Sequence, residues 1–254
     1  EIVELQPSSG GVHEFISGQN VLEDIRIKAR RLDTLLDNNM TKVIQFVGKP
    51  GTGKKTAASD FFQDDSEDLL VVDIGALIRS QRPSIELLPL ILREAVLQQA
   101  NIYWDNFQEL LARDTKDESL LNTIQDTVFP KLRKTFVGSS ESWYPLNESI
   151  VVLTIEIPVP TYLDRIQLWT EQLRSVGVDL DEDSLKELAA KFELTGFQIK
   201  LATRFAQNVI PSSLGVETID CYEDLLWAAR KYSNTQLRGL AQVINAGHTW
   251  DQLV

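Results

Sequence analysis

The chain has 254 residues, 43% of them hydrophobic and 24% charged, as expected of a globular protein with a sizeable core. The formal net charge of −12 and the lack of a basic run argue against a nucleic-acid partner. No apolar stretch reaches the length of about 18 residues that a membrane span needs. The single cysteine, Cys221, excludes an internal disulfide and favours a reducing, cytoplasmic location.

The first part of the chain, residues 1–40, is predicted to be a linker that leads into a helix. A Ser-Ser-Gly-Gly run starting at Ser8 favours a turn or a flexible link. Apolar residues then return at helical spacing over residues 21–36, which predicts an amphipathic helix. Because the first residue is Glu rather than Met, we expect the chain to be part of a longer one.

A glycine-rich segment, GKPGTGKK at residues 48–55, follows an apolar run and precedes a predicted helix. Strand, glycine loop and helix are the context of a phosphate-binding loop, whose backbone N–H groups cradle the phosphates of a nucleotide. A simple turn between a strand and a helix is the alternative explanation. The predicted nucleotide-binding residues here are Gly48, Lys49, Pro50, Gly51, Thr52, Gly53, Lys54, Lys55 and Thr56.

The last position of this pattern, normally Ser or Thr, is occupied by Lys55. A hydroxyl at that position would donate an oxygen to Mg²⁺, whereas an ammonium has no acceptor to offer. Thr56 does not replace it, because one residue along a helix rotates a side chain by about 100°. We therefore expect a loop that holds phosphate, with Lys54 as the charge that reaches it, and that is poorly equipped for magnesium.

Strands and helices alternate after the loop, which predicts a parallel sheet covered on both faces. The predicted strands are residues 43–47, 69–74, 101–104, 135–137 and 150–157. The predicted helices between them are residues 55–63, 84–99, 107–111 and 119–131. Beyond Pro160 only helices are predicted, at residues 162–176, 182–192, 196–209, 222–232 and 236–245. Asp181 as N-cap, and Thr195 with Gln198 as a capping box, mark two of the helix starts.

Hydrolysis of a nucleotide also needs an acid for Mg²⁺ and a group that polarises water. The best match is a strand end at which Asp105 could hold magnesium or its waters. The amide of Asn106 follows it and cannot accept a proton at pH 7. A strand-end pair that merely caps the next helix explains these two residues equally well.

Three further polar residues are candidates for contact with the nucleotide. Ser139 and Ser140 end the next predicted strand, where either could contact the outer phosphate, although a serine-rich turn fits them as well. Lys200, early in a helix of the second half, could reach a nucleotide between the two halves. A solvated surface lysine is the alternative for Lys200.

The order of glycine loop, Asp105 strand end, serine strand end, the run IEIPVP and a helical lid resembles an AAA+ ATPase module over nearly the whole chain. The segments LLVVDIGALI, LREAVLQQANIYWDN, ELTGFQIKLA and TWDQLV narrow the resemblance. They are similar to the first, degenerate module of the tandem AAA+ ATPases in bacterial contractile injection gene clusters. In such proteins a degenerate module precedes an intact one.

The resemblance implies a five-stranded parallel sheet sandwiched by helices in residues 41–158 and a small all-helical lid in residues 159–247. Residues 248–254 would be a linker toward a following module. It also implies ATP or ADP as ligand, leaves Mg²⁺ open, and implies contacts with the following AAA+ module and with neighbouring protomers.

Within this resemblance, residues 48–54 correspond to the Walker A loop and Asp105 to the first Walker B acid. Lys55 and Asn106 depart from the two motifs. Ser139 or Ser140 falls at the sensor-1 position, and Lys200 falls near sensor 2, where arginine is common. AAA+ modules that complete a neighbour's site carry an arginine just before the run IEIPVP, and residues 149–154 contain none.

Three functions stay open at this point. The first is a nucleotide-binding module that hydrolyses slowly or not at all and serves as a structural or regulatory partner of an active module. The second is a working ATPase in which Asp73 or Glu141 replaces the missing base. The third is a scaffold without nucleotide. The intact glycines and Lys54 argue against the third, and Lys55 with Asn106 argues against the second.

Overall fold

The computed structural model describes residues 2–6, 27, 40–60, 68–111, 115–132, 134–209 and 221–233. The predicted helix at residues 236–245 and the predicted linker at residues 248–254 lie outside these ranges. So does the predicted helix at residues 21–36, apart from Ile27.

Six strands of the described chain form one mixed sheet. They are β1 (Val3–Gln6), β2 (Thr41–Val47), β3 (Leu69–Asp73), β4 (Asn101–Asp105), β5 (Thr135–Ser139) and β6 (Ile150–Glu156). Their spatial order is β1-β3-β4-β5-β2-β6, and every pair except β1 with β3 is parallel. The predicted five-stranded parallel sheet is therefore confirmed, with β2, the strand before the glycine loop, between β5 and β6.

The sixth strand, β1, was not predicted. It pairs antiparallel with β3, Val3 lying opposite Val72, and the amide of Asp73 extends the pairing by donating to the carbonyl of Ile2 at 3.0 Å. Four residues of mixed polarity are too few to show a strand period. The pairing partner lies more than sixty residues away, so this strand depends on the free edge of β3.

Helices cover both faces of the sheet. The first four are α1 (Lys54–Asp60), α2 (Ile74–Ile78), α3 (Ser84–Gln98) and α4 (Thr115–Thr123). Because side chains alternate along a strand, Tyr103 packs on one face with Ala57 and Ala58 of α1, while Trp104 packs on the other with residues of α3. The face that carries α1, here called the loop face, is the one that the glycine loop opens onto.

Two predicted helices differ in detail from the observed structure. The first is a 3₁₀ turn at Phe107–Leu110. The second begins as α4 and continues as a π turn at Ile124–Val128 and a 3₁₀ turn at Phe129–Lys131. Pro130 has no N–H to donate to a regular helix, which accounts for the tightened end.

The second half of the chain is helical. Its helices are α5 (Tyr162–Ser175), α6 (Glu182–Lys191), α7 (Gly196–Val209) and α8 (Cys221–Ser233), and they enclose a hydrophobic cluster of their own. Both predicted caps are confirmed. Asp181 accepts from the amide of Ser184 at 2.9 Å, and Thr195 exchanges hydrogen bonds with Gln198. No helix in the described parts of the chain combines the length and apolar character needed to cross a membrane.

Candidate nucleotide-binding site

The glycine loop, residues 48–55, begins between the ends of two strands. The amide of Gly48 donates to the carbonyl of Ser139 at 3.1 Å, and the amide of Ile157 donates to the carbonyl of Val47 at 2.7 Å. A Cβ on Gly48 would overlap the carbonyl oxygen of Ile157. Only glycine therefore fits at the first position of the loop, and its place is set by β5 and β6.

The curvature of the loop depends on two further glycines and one threonine. Gly51 and Gly53 have φ angles of +82° and +93°, in the left-handed region that favours glycine. Thr52 tightens the turn, because its amide and its hydroxyl both donate to the carbonyl of Lys49, at 3.3 and 2.9 Å. The backbone thus adopts the tight turn that a phosphate-binding loop requires.

Lys54 closes the loop with its side chain. Its ammonium donates to the carbonyls of Gly48 at 2.8 Å and of Lys49 at 3.1 Å. Burial lowers the pKa of Lys54, and the nearby carboxylate of Asp105 opposes this effect. Hydrogen bonds from an ammonium to an anion are stronger than those to the neutral carbonyl oxygens that hold Lys54 here. The loop and its lysine therefore suit a phosphate group.

Three polar side chains meet at the ends of β3 and β4 and are here called the strand-end cluster: Asp73, Asp105 and Asn106. The two aspartates are register partners on adjacent parallel strands, and they continue the alternate positions of Val71 and Tyr103, which pack on the loop face. Asn106 has a φ of +57°, and its amide N–H donates to Asp105 Oδ1 at 3.0 Å. Its side-chain Nδ2 donates to Asp73 Oδ1 at 3.4 Å, so Asn106 links the two acids.

The pKa of Asp105 depends on its burial and on the charged groups around the strand-end cluster. Burial raises the pKa of the Asp105 carboxyl, and the nearby Asp73 raises it further. The strongest opposing influence is the ammonium of Lys55, followed by the N–H of Asn106 and then Lys54. Lys55 is therefore the cation whose charge Asp105 experiences most.

This donor set suits Mg²⁺ poorly. Magnesium prefers oxygen ligands in octahedral geometry, and the side chain that should supply a hydroxyl carries a positive charge instead. Thr56, the next residue, is only 9% exposed and belongs to the buried side of α1. Across the described ranges, no three His, Cys, Asp or Glu residues come together as a possible metal site.

The two predicted serines lie at the end of β5, beside the loop. Ser139 is fully buried, and its hydroxyl accepts from the amide of Glu141 at 3.2 Å while its carbonyl holds Gly48. Ser140 is exposed, and its amide donates to Gln108 Oε1 at 3.1 Å. Ser139 thus contacts the glycine loop through its backbone, and its hydroxyl stabilises the turn after β5.

The helical half contacts the loop through the start of α7. The amide of Phe197 donates to the carbonyl of Gly51 at 3.2 Å, and a Cβ on Gly51 would lie 2.6 Å from Thr195 Oγ1. The sequence indicated Thr195 only as a helix cap, because a contact across almost 150 residues leaves no local pattern. Lys200, one turn further along α7, lines a polar depression together with Gln172 of α5, and no residue of the glycine loop lines this depression.

Of the comparisons with known proteins, the comparison with solved structures agrees with this architecture. No protein-family model matches the sequence, and a search of curated proteins found no match. Among solved structures, the crystal structure of the FIGL-1 AAA domain in complex with ADP is similar, with a TM-score of 0.64 and 18% identity. That match covers 100% of this chain and 90% of the other. A second structure of the FIGL-1 AAA domain matches at a TM-score of 0.61 and 17% identity, covering 91% and 86%.

At such low identity the likeness concerns the fold, and the chain has the α/β fold of an AAA domain.

Proposed function

We propose that the chain is a nucleotide-binding AAA+ module that holds ATP or ADP at the glycine loop and hydrolyses it slowly or not at all. The observation that carries this proposal is a contrast within one site. The loop has the space and curvature for phosphate, with Lys54 at its centre, whereas an amide stands beside Asp105 where a base is needed.

Binding would rest on the loop and on Lys54. When a phosphate arrives, Lys54 exchanges two neutral carbonyl acceptors for charged oxygens, which form stronger hydrogen bonds. The glycines leave the backbone N–H groups accessible, because no Cβ stands over them. The FIGL-1 AAA domain, which has the same fold, is known as a complex with ADP, and this supports the proposal.

Weak hydrolysis would follow from the strand-end cluster. Asn106 has no proton-accepting group at neutral pH, and its Nδ2 is engaged with Asp73. One oxygen of Asp73 also accepts from the amide of Ala76 at the start of α2, so this carboxylate already has a structural role. The other alternative base, Glu141, is exposed in the turn after β5. These contacts favour binding over catalysis.

The module would act as a structural or regulatory partner of an active AAA+ module in a bacterial remodelling or assembly ATPase in the cytoplasm. Exposed apolar side chains on α3 support contact with a following module or a neighbouring protomer. On α3, Val96 and Leu97 are 74% and 69% exposed, and Ile85 is 47% exposed on the same helix. Val96 and Leu97 are neighbours at the end of α3, and such an exposed apolar pair supports a role in association.

Calorimetric titration of the chain with ATP and with ADP tests the proposal. We expect saturable binding at one site per chain for at least one nucleotide, and a clear loss of affinity in Lys54→Ala. The absence of binding with either nucleotide, with and without Mg²⁺, would reduce the chain to a scaffold.

A further inference from the structure

The position of Lys55 affects whether a nucleotide would bind with or without Mg²⁺. Lys55 is the second residue of α1, directly after the loop lysine, and α1 packs on the loop face. Asp105 belongs to the same face, since it alternates with Ile102 and Trp104, which point to the other. The ammonium of Lys55 and the carboxylate of Asp105 therefore belong to one group at the base of the loop.

The formal charges of this group, two carboxylates and two ammonium groups, balance without a metal ion. Asp73 and Asp105 lie side by side at the ends of β3 and β4, and the carboxylate of Asp105 interacts electrostatically with both Lys54 and Lys55. Lys54 is engaged with the loop carbonyls, which leaves Lys55 as the cation whose charge acts most on Asp105. A divalent ion at this place would meet two ammonium groups already present and would find no hydroxyl ligand.

We propose that Lys55 takes the place of the divalent cation, so that the loop binds a nucleotide free of Mg²⁺ in preference to its magnesium complex. The inference rests on the proposed nucleotide-binding function and adds to it the charge state of the ligand. An unchelated triphosphate presents more negative charge to Lys54 and Lys55 than a magnesium complex does, and each ammonium can bind it as a point charge.

Substitution of Lys55 should change which form of the nucleotide, free or magnesium-bound, the loop prefers. Lys55→Thr restores the oxygen ligand and removes the competing charge, so this variant should prefer the magnesium complex. Lys55→Arg keeps the charge and should keep the preference for the free nucleotide. Lys131→Thr, at an exposed residue of the 3₁₀ turn before β5, makes the same change in net charge away from the site and serves as control.

The experiment measures the Kd of ATP and of ADP by calorimetry in excess Mg²⁺ and in excess EDTA, for the parent chain and the three variants. We expect the parent, Lys55→Arg and Lys131→Thr to bind ATP in EDTA at least as tightly as in Mg²⁺. Lys55→Thr should bind about tenfold or more tightly in Mg²⁺ than in EDTA, a change that corresponds to about 1.4 kcal/mol.

The parent alone decides whether the free nucleotide is preferred, even if a variant fails to fold. A parent that binds ATP in Mg²⁺ but loses tenfold or more in EDTA overturns the role of Lys55 while leaving nucleotide binding intact. A parent that binds ATP under neither condition, and ADP under neither, overturns the proposed function itself, and this inference with it. An unchanged preference in a folded Lys55→Thr also contradicts the assignment to Lys55.

Discussion

The glycine loop and the strand-end cluster belong to one candidate site but differ in how closely they match the pattern of a nucleotide-hydrolysing site. In the loop, backbone space is the functional element: a Cβ on Gly48 would overlap Ile157, and Gly51 and Gly53 adopt φ angles that other residues rarely tolerate. In the cluster the backbone is also in place, but the side chains of Asn106 and of the nearby Lys55 differ from the motif pattern of a nucleotide hydrolase. Binding depends on shape and one charge, whereas hydrolysis depends on particular acceptor atoms, so a site can lose the second and keep the first.

The largest expected effect is on the rate of hydrolysis. A positioned general base contributes about 10²- to 10⁴-fold, and an arginine from a neighbour about 10³-fold or more. Asn106 stands where the base is expected and residues 149–154 contain no arginine, so on the proposed function we expect phosphate release from ATP at background level. Asn106→Glu alone should remain at background, because parts of such a site act as a unit.

A steady-state phosphate assay checks this deficit, with Lys54→Ala as the binding-deficient control. Phosphate release by the unmodified chain that Lys54→Ala abolishes would place the chain among the enzymes. A large gain from Asn106→Glu alone would show that a single missing base, rather than several absent groups, limits the rate.

The next largest effect is the contribution of Lys54, in the glycine loop, to the affinity for ATP. Its ammonium makes the charge-assisted contact that we assign to phosphate, and such a contact contributes about 1.5–3 kcal/mol. Lys54→Ala should weaken ATP binding by that amount in calorimetry, with thermal unfolding recorded to show that the variant is folded. Equal affinity in the variant and the parent would mean that the loop is not the binding site.

A glycine pair separates loop strain from the contact with α7. Gly51 and Gly177 both have positive φ, but a Cβ on Gly51 would lie 2.6 Å from Thr195 Oγ1, whereas a Cβ on Gly177 would meet nothing within 4 Å. Both alanine variants pay for strain of about 1–2 kcal/mol, and overpacking adds about 1–3 kcal/mol in Gly51→Ala. Chemical denaturation should show this excess, and equal losses would contradict the contact between α7 and the loop.

The smallest effect concerns the charge of Asp105. Because burial raises the pKa of Asp105 in the folded chain, the ionised carboxylate destabilises the fold at neutral pH. We expect Asp105→Asn to raise the thermal midpoint slightly at pH 7. The gain should disappear as the pH falls through the raised pKa toward the unfolded value of about 3.9, because both states are then protonated.

Asp179→Asn, which removes an exposed carboxylate of the turn after α5, is the control for this measurement. A gain in Asp105→Asn that persists unchanged to low pH would mean that the ionisation of Asp105 is not its cause.

Much of the fold could be predicted from the sequence because its signals are local. Apolar runs, the glycine pattern and the caps at Asp181 and Thr195 each reside within a few residues, and the corresponding strands and helix starts are observed. The strand β1 and the contact of Phe197 with Gly51 were not predictable in this way, because each depends on a partner far along the chain.

The site was predictable in its residue types but not in its connections. The sequence indicated that Asn106 lacks a proton acceptor, but not that its side chain links Asp105 to Asp73. It likewise indicated that Lys55 is no ligand for magnesium. That the charge of Lys55 could partly stand in for the ion was also an expectation from the sequence, and the structure adds that this charge lowers the pKa of Asp105.

The most direct test of binding without hydrolysis is the identity of the nucleotide recovered from the protein. The chain is incubated with ATP in the presence of Mg²⁺, separated from free nucleotide and denatured, and the released nucleotide is identified by chromatography. We predict that intact ATP is recovered from the parent and that little nucleotide of either kind is recovered from Lys54→Ala. Recovery of mainly ADP from the parent, accompanied by phosphate, would contradict the account.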